Sequence, residues 1–349
     1  MKLLRTVAPL AQAAIRGAGS LLASLPIAPH ERDGHRLDPH ARAVCLAAKL
    51  ARVPHLATMK PATARRAMEE QMWLLDGPSP EMAEVRDIKL PASWGELPVR
   101  LYRPANAEVG GPLIIWYHGG GWVIGSITSH NGACRRLADA TGMAVLSADY
   151  RLAPEHPCPA AWEDALTIFD SAVAHATDWG IDPARIAVGG DSAGGNLAAT
   201  VALARASSER PPALQILLYP GVELTRSFAS HKRLAEGYIL DDRLIGWMLS
   251  NTFSQLQLTD PAYSPWYAKS FTKQPPAIVI TAGFDVLRDE GDAYAVRLRD
   301  AGNKVEHRCE TGMIHGFQTM TGAIPEAEAA MQRLAKDAVR LLRGSHAER

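Results

Sequence analysis

Ser192 sits in the stretch RIAVGGDSAGGN, residues 185–196. A serine hydroxyl is a useful nucleophile only where a base and an oriented acid serve it. The glycines around it point to a shortage of room. A serine at a sharp strand-to-helix turn adopts a strained backbone conformation. Side chains two positions before and after it would strike the neighbouring strand and helix. Gly190 and Gly194 remove those side chains, which leaves the Ser192 hydroxyl clear of the sheet. A helix starting after the serine also points its N-terminus at the site and favours developing negative charge. The rival readings are a plain glycine-rich turn and a phosphate cradle. A phosphate cradle of this kind requires GK[ST], which is absent.

Three further segments supply what such a serine needs. HGGGW, residues 118–122, follows an apolar run. Attack on an ester creates an oxyanion, and backbone N–H groups of glycines can approach it closely. The donors expected here are Gly119 and Gly120, joined by Ala193 just after the serine. His118, Gly121 and Asp191 are expected to support the loop, His118 by hydrogen bonding rather than as a base. A dinucleotide site is excluded because Ile124 stands where the last glycine of GxGxxG belongs.

Twelve histidines compete as base. His315, in ETGMIHGFQ, comes after the last strand-like run, next to a glycine. His307 falls inside that run, and His156 and His231 lie in other segments. For the carboxylate that fixes the base's tautomer, Asp285 follows PAIVITAG at once. Asp289 and Glu290 come a turn later and suit helix N-terminal or loop roles. The order Ser192, Asp285, His315 is that of α/β-hydrolases. HERDGH, residues 30–35, superficially resembles a zinc motif, but its second histidine is one residue too far. No metal or cofactor is expected.

These residues need strand ends to carry them. The apolar runs 112–118, 143–150, 185–190, 214–220, 276–283 and 304–310 look like strands buried on both faces. They alternate with helical segments, which predicts an α/β fold: a mostly parallel central sheet with helices on both faces. Functional loops then lie at the carboxyl ends of the strands. VRDIKLPA and LPVRLYRP predict an antiparallel pair ahead of them. Residues 37–75 look helical, with Asp38-Pro39 as cap and first turn. The long connection after LLYP predicts a helical insertion at about 222–258. Residues 1–75 and that insertion are expected to form a cap on a catalytic domain spanning 76–349.

The 349 residues are enough to bury roughly 75% of the unfolded surface without disulfides or metals. Basic and acidic side chains balance at 37 each, which gives no nucleic-acid footprint. The four cysteines are far apart and read as free thiols, which suggests a cytoplasmic protein. The first 28 residues have the basic start and apolar stretches of a signal peptide, with cleavage then near Pro26 to Pro29. Arg16 interrupts that run, and no stretch reaches the ~20 residues of a membrane span. Leu10, Ala13, Ala14, Leu21, Leu22 and Leu25 recur at helical spacing, so an amphipathic cap helix is the preferred reading, with membrane-surface contact as its alternative.

HGGGWVIGS, DYRLAPEHPCPAAWEDA, GGDSAGGNLA, LLYP, EGYIL, AGFDVLRDEG and HGF occur in this order. Over roughly residues 37–340 the chain resembles the bacterial hormone-sensitive-lipase-like esterases of the α/β-hydrolase fold. The resemblance implies a triad of Ser192, Asp285 and His315 with Gly119, Gly120 and Ala193 as oxyanion hole. It also implies a helical cap, and Asp149, Arg151 and Glu155 as braces beneath the site. The sequence departs from the family at Cys158, where an aromatic residue is usual, and at Val286, where proline is common.

The expected reaction is hydrolysis of small carboxylic esters through an acyl-enzyme, with no nucleic-acid partner and homodimerisation left open. An amidase or deacetylase would use the same machinery, and a non-catalytic ligand receptor of this fold would lack His315. Trp122, Tyr238, Trp247 and Met248 are candidate pocket residues, although packing of the cap alone would account for each. A roofed pocket of ordinary size, ~300–1,000 Å³, sets the expected optimum at roughly four to eight acyl carbons.

Overall fold

The computed structural model describes residues 2–25, 28–254 and 257–344. Pro26, where a cleavable leader would end, lies outside them, as do Gln255 and Leu256 near the end of the insertion. Helix α1 (Lys2–Ser24) is followed by a short hairpin, β1 (Glu31–Arg32) and β2 (His35–Arg36), and then by α2 (Pro39–Leu50) and α3 (Pro61–Leu75). The amphipathic spacing of α1 lets it pack on α2 and α3. Arg16, which interrupts the apolar run, donates to the carbonyls of Gly322 (2.7 Å) and Thr321 (3.1 Å). Gln12 reaches the carbonyls of Asp76 and Leu74.

Asp38 caps α2 as expected, accepting from the N–H groups of His40 and Ala41. Residues 37–75 are not helical throughout, however. The chain leaves the helix after Leu50 and re-enters at Pro61, with a single 3-10 turn at Leu56–Thr58. Pro54 and Pro61 explain the break, because proline disfavours helix in the residue before it.

The remaining strands form one sheet. They are β3 (Glu84–Ala92), β4 (Gly95–Arg103), β5 (Gly111–Tyr117), β6 (Ala144–Ala148), β7 (Ile181–Asp191), β8 (Leu214–Leu218), β9 (Ala277–Phe284) and β10 (Val305–Ile314). Their order is β3-β4-β6-β5-β7-β8-β9-β10, with β3–β4 and β4–β6 antiparallel and the other pairs parallel. The last strand runs further than its apolar run suggested, because an irregularity after Glu310 lets Ile314 pair with Phe284.

The helices between strands are α4 (Asn131–Thr141), α5 (Ala160–His175), α6 (Ala193–Arg205), α7 (Ser230–Arg233), α8 (Asp242–Thr252) and α9 (Arg288–Asp300), and α10 (Pro325–Gly344) follows the last strand. The alternation of strand side chains builds two cores. Leu113, Ile115 and Tyr117 join α5, α6 and α9, while Ile114 and Trp116 join α4 and α10. Full burial of each such side chain stabilises the fold by roughly 1.5–3 kcal/mol. Both sheet faces are therefore covered, and chemistry is confined to the strand ends. Among the described residues no helix is long and apolar enough to cross a membrane.

Candidate active site

Four parallel strands end along one edge and carry the candidate residues. Strand β5 leads to β6 on one side, while β7 lies on its other side. This is a switch point, where the ends of adjacent strands open a crevice. His118 follows β5 and Ser192 follows β7, with Tyr117 and Gly190 directly paired. Asp285 and His315 directly follow β9 and β10.

Ser192 has φ 55° and ψ −119°, a strained conformation for a residue with a side chain. Its N–H donates to the Leu218 carbonyl (2.9 Å), and its carbonyl accepts from Asn196 (3.1 Å). A Cβ on Gly190 would collide with the Gly194 backbone and the Tyr117 carbonyl. On Gly194 it would meet the same Tyr117 carbonyl. The glycine spacing read from the sequence thus reflects contact between β5, β7 and α6.

The HGGGW loop requires a correction. The N–H of Gly119 donates to Asp191 Oδ1 (3.1 Å), so it is not available to an oxyanion. The N–H groups of Gly120 and Gly121 meet no acceptor among the described residues. Both glycines have positive φ, +118° and +59°, and each lines a cavity that reaches Ser192. Ala193 opens α6, so its N–H is one that a helix leaves without an internal partner. The free donors are therefore Gly120, Gly121 and Ala193.

Asp191 anchors this loop from below. Besides Gly119 it accepts from Trp116 Nε1 (3.3 Å) and lies 3.3 Å from His130 Nε2. Burial opposes its ionisation, but the neighbouring His130 holds the carboxyl below the usual range. The His118 ring stacks on Tyr150 with centroids 4.3 Å apart, and its Nδ1 donates to the Gly119 carbonyl (2.8 Å). Burial, followed by the neighbouring His130, pushes the imidazole down to about 3. His118 is therefore neutral and lines neither cavity at Ser192. Nothing in the sequence marked His130 or Tyr150 for this assembly.

His315 Nδ1 donates to Asp285 Oδ2 at 2.7 Å, and the other carboxylate oxygen accepts from the Leu287 N–H (3.0 Å). Tyr219 supports the imidazole, ring to ring at 4.7 Å. Among the described residues no hydrogen bond joins Ser192 to His315, although both line one cavity. Such contacts are often long without substrate. The neighbouring carboxylates are engaged elsewhere. Asp289 accepts from the Ser230 N–H and Arg233, and Glu290 from the Val222 and Glu223 N–H groups and His231.

The family braces also find partners. Asp149 accepts from the Ile127 N–H, and Arg151 pairs with Asp164 of α5. Glu155 pairs with Arg65 of α3, which also donates to the Val123 and Ala153 carbonyls. Val286 is fully buried and Cys158 half-buried against the apolar interior, and the Asp285–His315 hydrogen bond is in place beside Val286.

Two cavities meet at Ser192. The larger, about 270 Å³, reaches His315, Gly120 and Met68 of α3, and the insertion at Tyr238 and Leu244. The smaller, about 50 Å³, lies beside Gly121, Trp122 and Ala193. Tyr238 lines the larger one with its hydroxyl held by His30 (2.8 Å), so HERDGH serves as a hairpin strap. Met248 lines both. Trp122 lines the smaller one, wedged between Trp162 and Phe253. Trp247 lines neither, which corrects the expectation for it. On α8 the buried face is Leu244, Ile245, Met248 and Thr252, and Trp247 is turned off that face.

The chain is similar to known proteins of the same fold. Residues 114–319 match the model of a family described as having the alpha/beta hydrolase fold. The carboxylic ester hydrolase LipN of Mycobacterium tuberculosis is 41% identical over 294 residues, covering 82% of this chain and 78% of that protein. The ethyl acetate hydrolase of Pseudomonas putida is 36% identical, covering 77% of this chain and 86% of its own. Among solved structures, an ester hydrolase from the metagenome of Lake Arreo, complexed with a derivative of bipyridine phosphonate, superposes with a TM-score of 0.84. It is 41% identical and covers 87% of this chain and 98% of its own. With its strand order, its serine turn and these relatives together, the chain belongs to the α/β-hydrolase family, in the hormone-sensitive-lipase-like branch.

Proposed function

We propose that this protein is a carboxylic ester hydrolase that works through an acyl-enzyme on Ser192. The observation that carries the reading is the buried Asp285–His315 pair at 2.7 Å, opening on the same cavity as Ser192. The names of the relatives, a carboxylic ester hydrolase and an ethyl acetate hydrolase, support the same bond type.

In this reading His315 Nε2 takes the Ser192 proton as Oγ attacks the acyl carbon. The resulting oxyanion is held by the N–H groups of Gly120, Gly121 and Ala193, and one donor of this kind is worth roughly 2.7–4 kcal/mol. His315 then gives its proton to the leaving alkoxide, while Asp285 stabilises the imidazolium. Water, deprotonated by the same histidine, releases the acid and restores Ser192. Helices α2 and α3 and the insertion roof the larger cavity and form the cap of the catalytic domain.

The test is turnover of nitrophenyl acetate by Ser192→Ala, with covalent labelling by a phosphonate. The substitution should cost roughly 10⁴–10⁶ in kcat, because triad members act as a unit, and should abolish labelling. Near-normal turnover by the folded variant would overturn the assignment.

A further inference from the structure

We propose that the outward face of α1, with the end of α2 beside it, is a docking surface for a membrane that carries anionic phospholipid. The protein lies on that surface without crossing it, and the mouth of the larger cavity is turned towards the lipid.

The argument starts from which way α1 faces. A surface helix normally turns its apolar stripe to the core. The packing side of α1 is instead built largely from small and polar groups. Ala8 and Gly19 are buried, and a Cβ on Gly19 would strike the His40 ring. Gln12 and Arg16 tie the helix to the carbonyls of Leu74, Asp76, Thr321 and Gly322. Ile15 adds an apolar contact beneath. Most of the larger apolar side chains point the other way. Val7, Leu10, Ala14, Ala18 and Leu21 are exposed, with Leu25 just past the helix. Spacings of three and four residues put them in one stripe, ~27 Å long at 1.5 Å per residue.

The neighbouring α2 repeats the pattern. Leu46, Leu50 and Val53 are exposed, again four and three positions apart, and Leu50 is 81% exposed. Seven of the eleven large apolar side chains exposed among the described residues fall between Val7 and Val53. Scattered exposed leucines are ordinary, but a concentration of this kind marks a contact site.

Charge selects the partner. From Val7 to Met68 the chain carries nine Lys and Arg against three Asp and Glu, although the whole chain balances at 37 each. Two of those acids are engaged: Asp33 pairs with Arg233 and Arg288, and Asp38 caps α2. Lys49, Arg52, Lys60 and Arg66 are exposed and form no ion pair among the described residues. Lysine is depleted at interfaces between proteins. Cations beside an exposed apolar stripe suit anionic headgroups over an acyl layer.

The position of this surface bears on access. Ala48, Val53 and Pro54 are exposed and line the larger cavity, so they stand at its mouth. On the ester-hydrolase reading above, an ester dissolved in the lipid reaches Ser192 without first crossing into water.

Co-sedimentation of the full chain with vesicles tests this. Vesicles of equal parts phosphatidylcholine and phosphatidylglycerol should bind it roughly ten-fold tighter than pure phosphatidylcholine. The preference should vanish in about 1 M salt, where the screening length falls to ~3 Å. Leu10→Glu with Leu21→Glu should weaken binding to the mixed vesicles roughly thirty-fold or more. Tm and nitrophenyl acetate turnover in buffer should stay unchanged, because both side chains are exposed. Leu50→Glu should weaken binding roughly five-fold and serves if the double variant does not fold. Absence of binding to the mixed vesicles, or binding that ignores these substitutions in folded variants, would overturn the proposal. So would a dimer in solution that Leu10→Glu with Leu21→Glu splits, since the stripe then belongs to a second copy. Sedimentation does not depend on turnover: a protein that docks but hydrolyses no ester keeps the docking surface and loses the hydrolase reading.

Discussion

Replacing Asp285 by asparagine separates a carboxylate that fixes a tautomer from one that merely fills space. The two residues have nearly the same shape, so the buried site keeps its packing. One carboxylate oxygen accepts from the Leu287 N–H at 3.0 Å and the other from His315 Nδ1 at 2.7 Å. In the variant, the amide oxygen is drawn to the fixed Leu287 donor, which turns the NH₂ group towards His315. The imidazole then accepts at Nδ1 and carries its proton on Nε2, where it can no longer take the proton of Ser192. A wrong tautomer costs roughly 10⁴ in kcat, about 5.5 kcal/mol of transition-state stabilisation. Asp289→Asn is the matched control. Its carboxylate holds the Ser230 N–H, the part-exposed Arg233 and the buried Arg288, and its bonds do not include His315, so kcat should fall far less than in Asp285→Asn. The assay is kcat on nitrophenyl acetate at neutral pH, with thermal unfolding to verify both folds. Equal losses in two folded variants would mean that the wrong carboxylate has been assigned.

Two further outcomes follow from the same packing. Gly194→Ala drives a Cβ into the Tyr117 carbonyl, whereas Gly17→Ala on α1 meets nothing within 4 Å. The first should lose ~1–3 kcal/mol of stability and most activity, the second should gain up to ~1 kcal/mol, and urea midpoints will separate them. His118 is held at about 3 in the fold against 6.5 unfolded, so the unfolded chain takes a proton that the folded one refuses. Its contribution is complete above pH 6.5 and is lost on acidification towards 3, at up to ~1.4 kcal/mol per unit. The slope of unfolding free energy between pH 7.5 and 5.5 should flatten in His118→Asn.

The legible parts of this molecule were those that repeat a local rule. Buried strands advertise themselves as unbroken apolar runs, and a serine between paired glycines advertises a collision to be avoided. Asp285 and His315 were found because each directly follows a strand. What stayed hidden was set by contacts across the chain. Three adjacent glycines look alike, and only Asp191, 72 positions away, takes the N–H of Gly119 and leaves those of Gly120 and Gly121 free. His130 stands alone in its segment and acquires its role from the same carboxylate. The division into two cavities could not be read either, because Leu240 and Met248 belong to an insertion whose path depends on the cap.

The bonds of α1 also constrain how the chain is made. Arg16 is secured by a carbonyl 306 positions later. At a synthesis rate of ~5–20 residues per second, that acceptor emerges roughly 15–60 s after the helix does. Until then α1 presents Leu10 and Leu21 with only α2 and α3 as neighbours. These two leucines stay 70% and 58% exposed even in the finished fold. Completion of the chain therefore secures α1 through Arg16 without covering this apolar ridge, which the growing chain and the finished fold present alike.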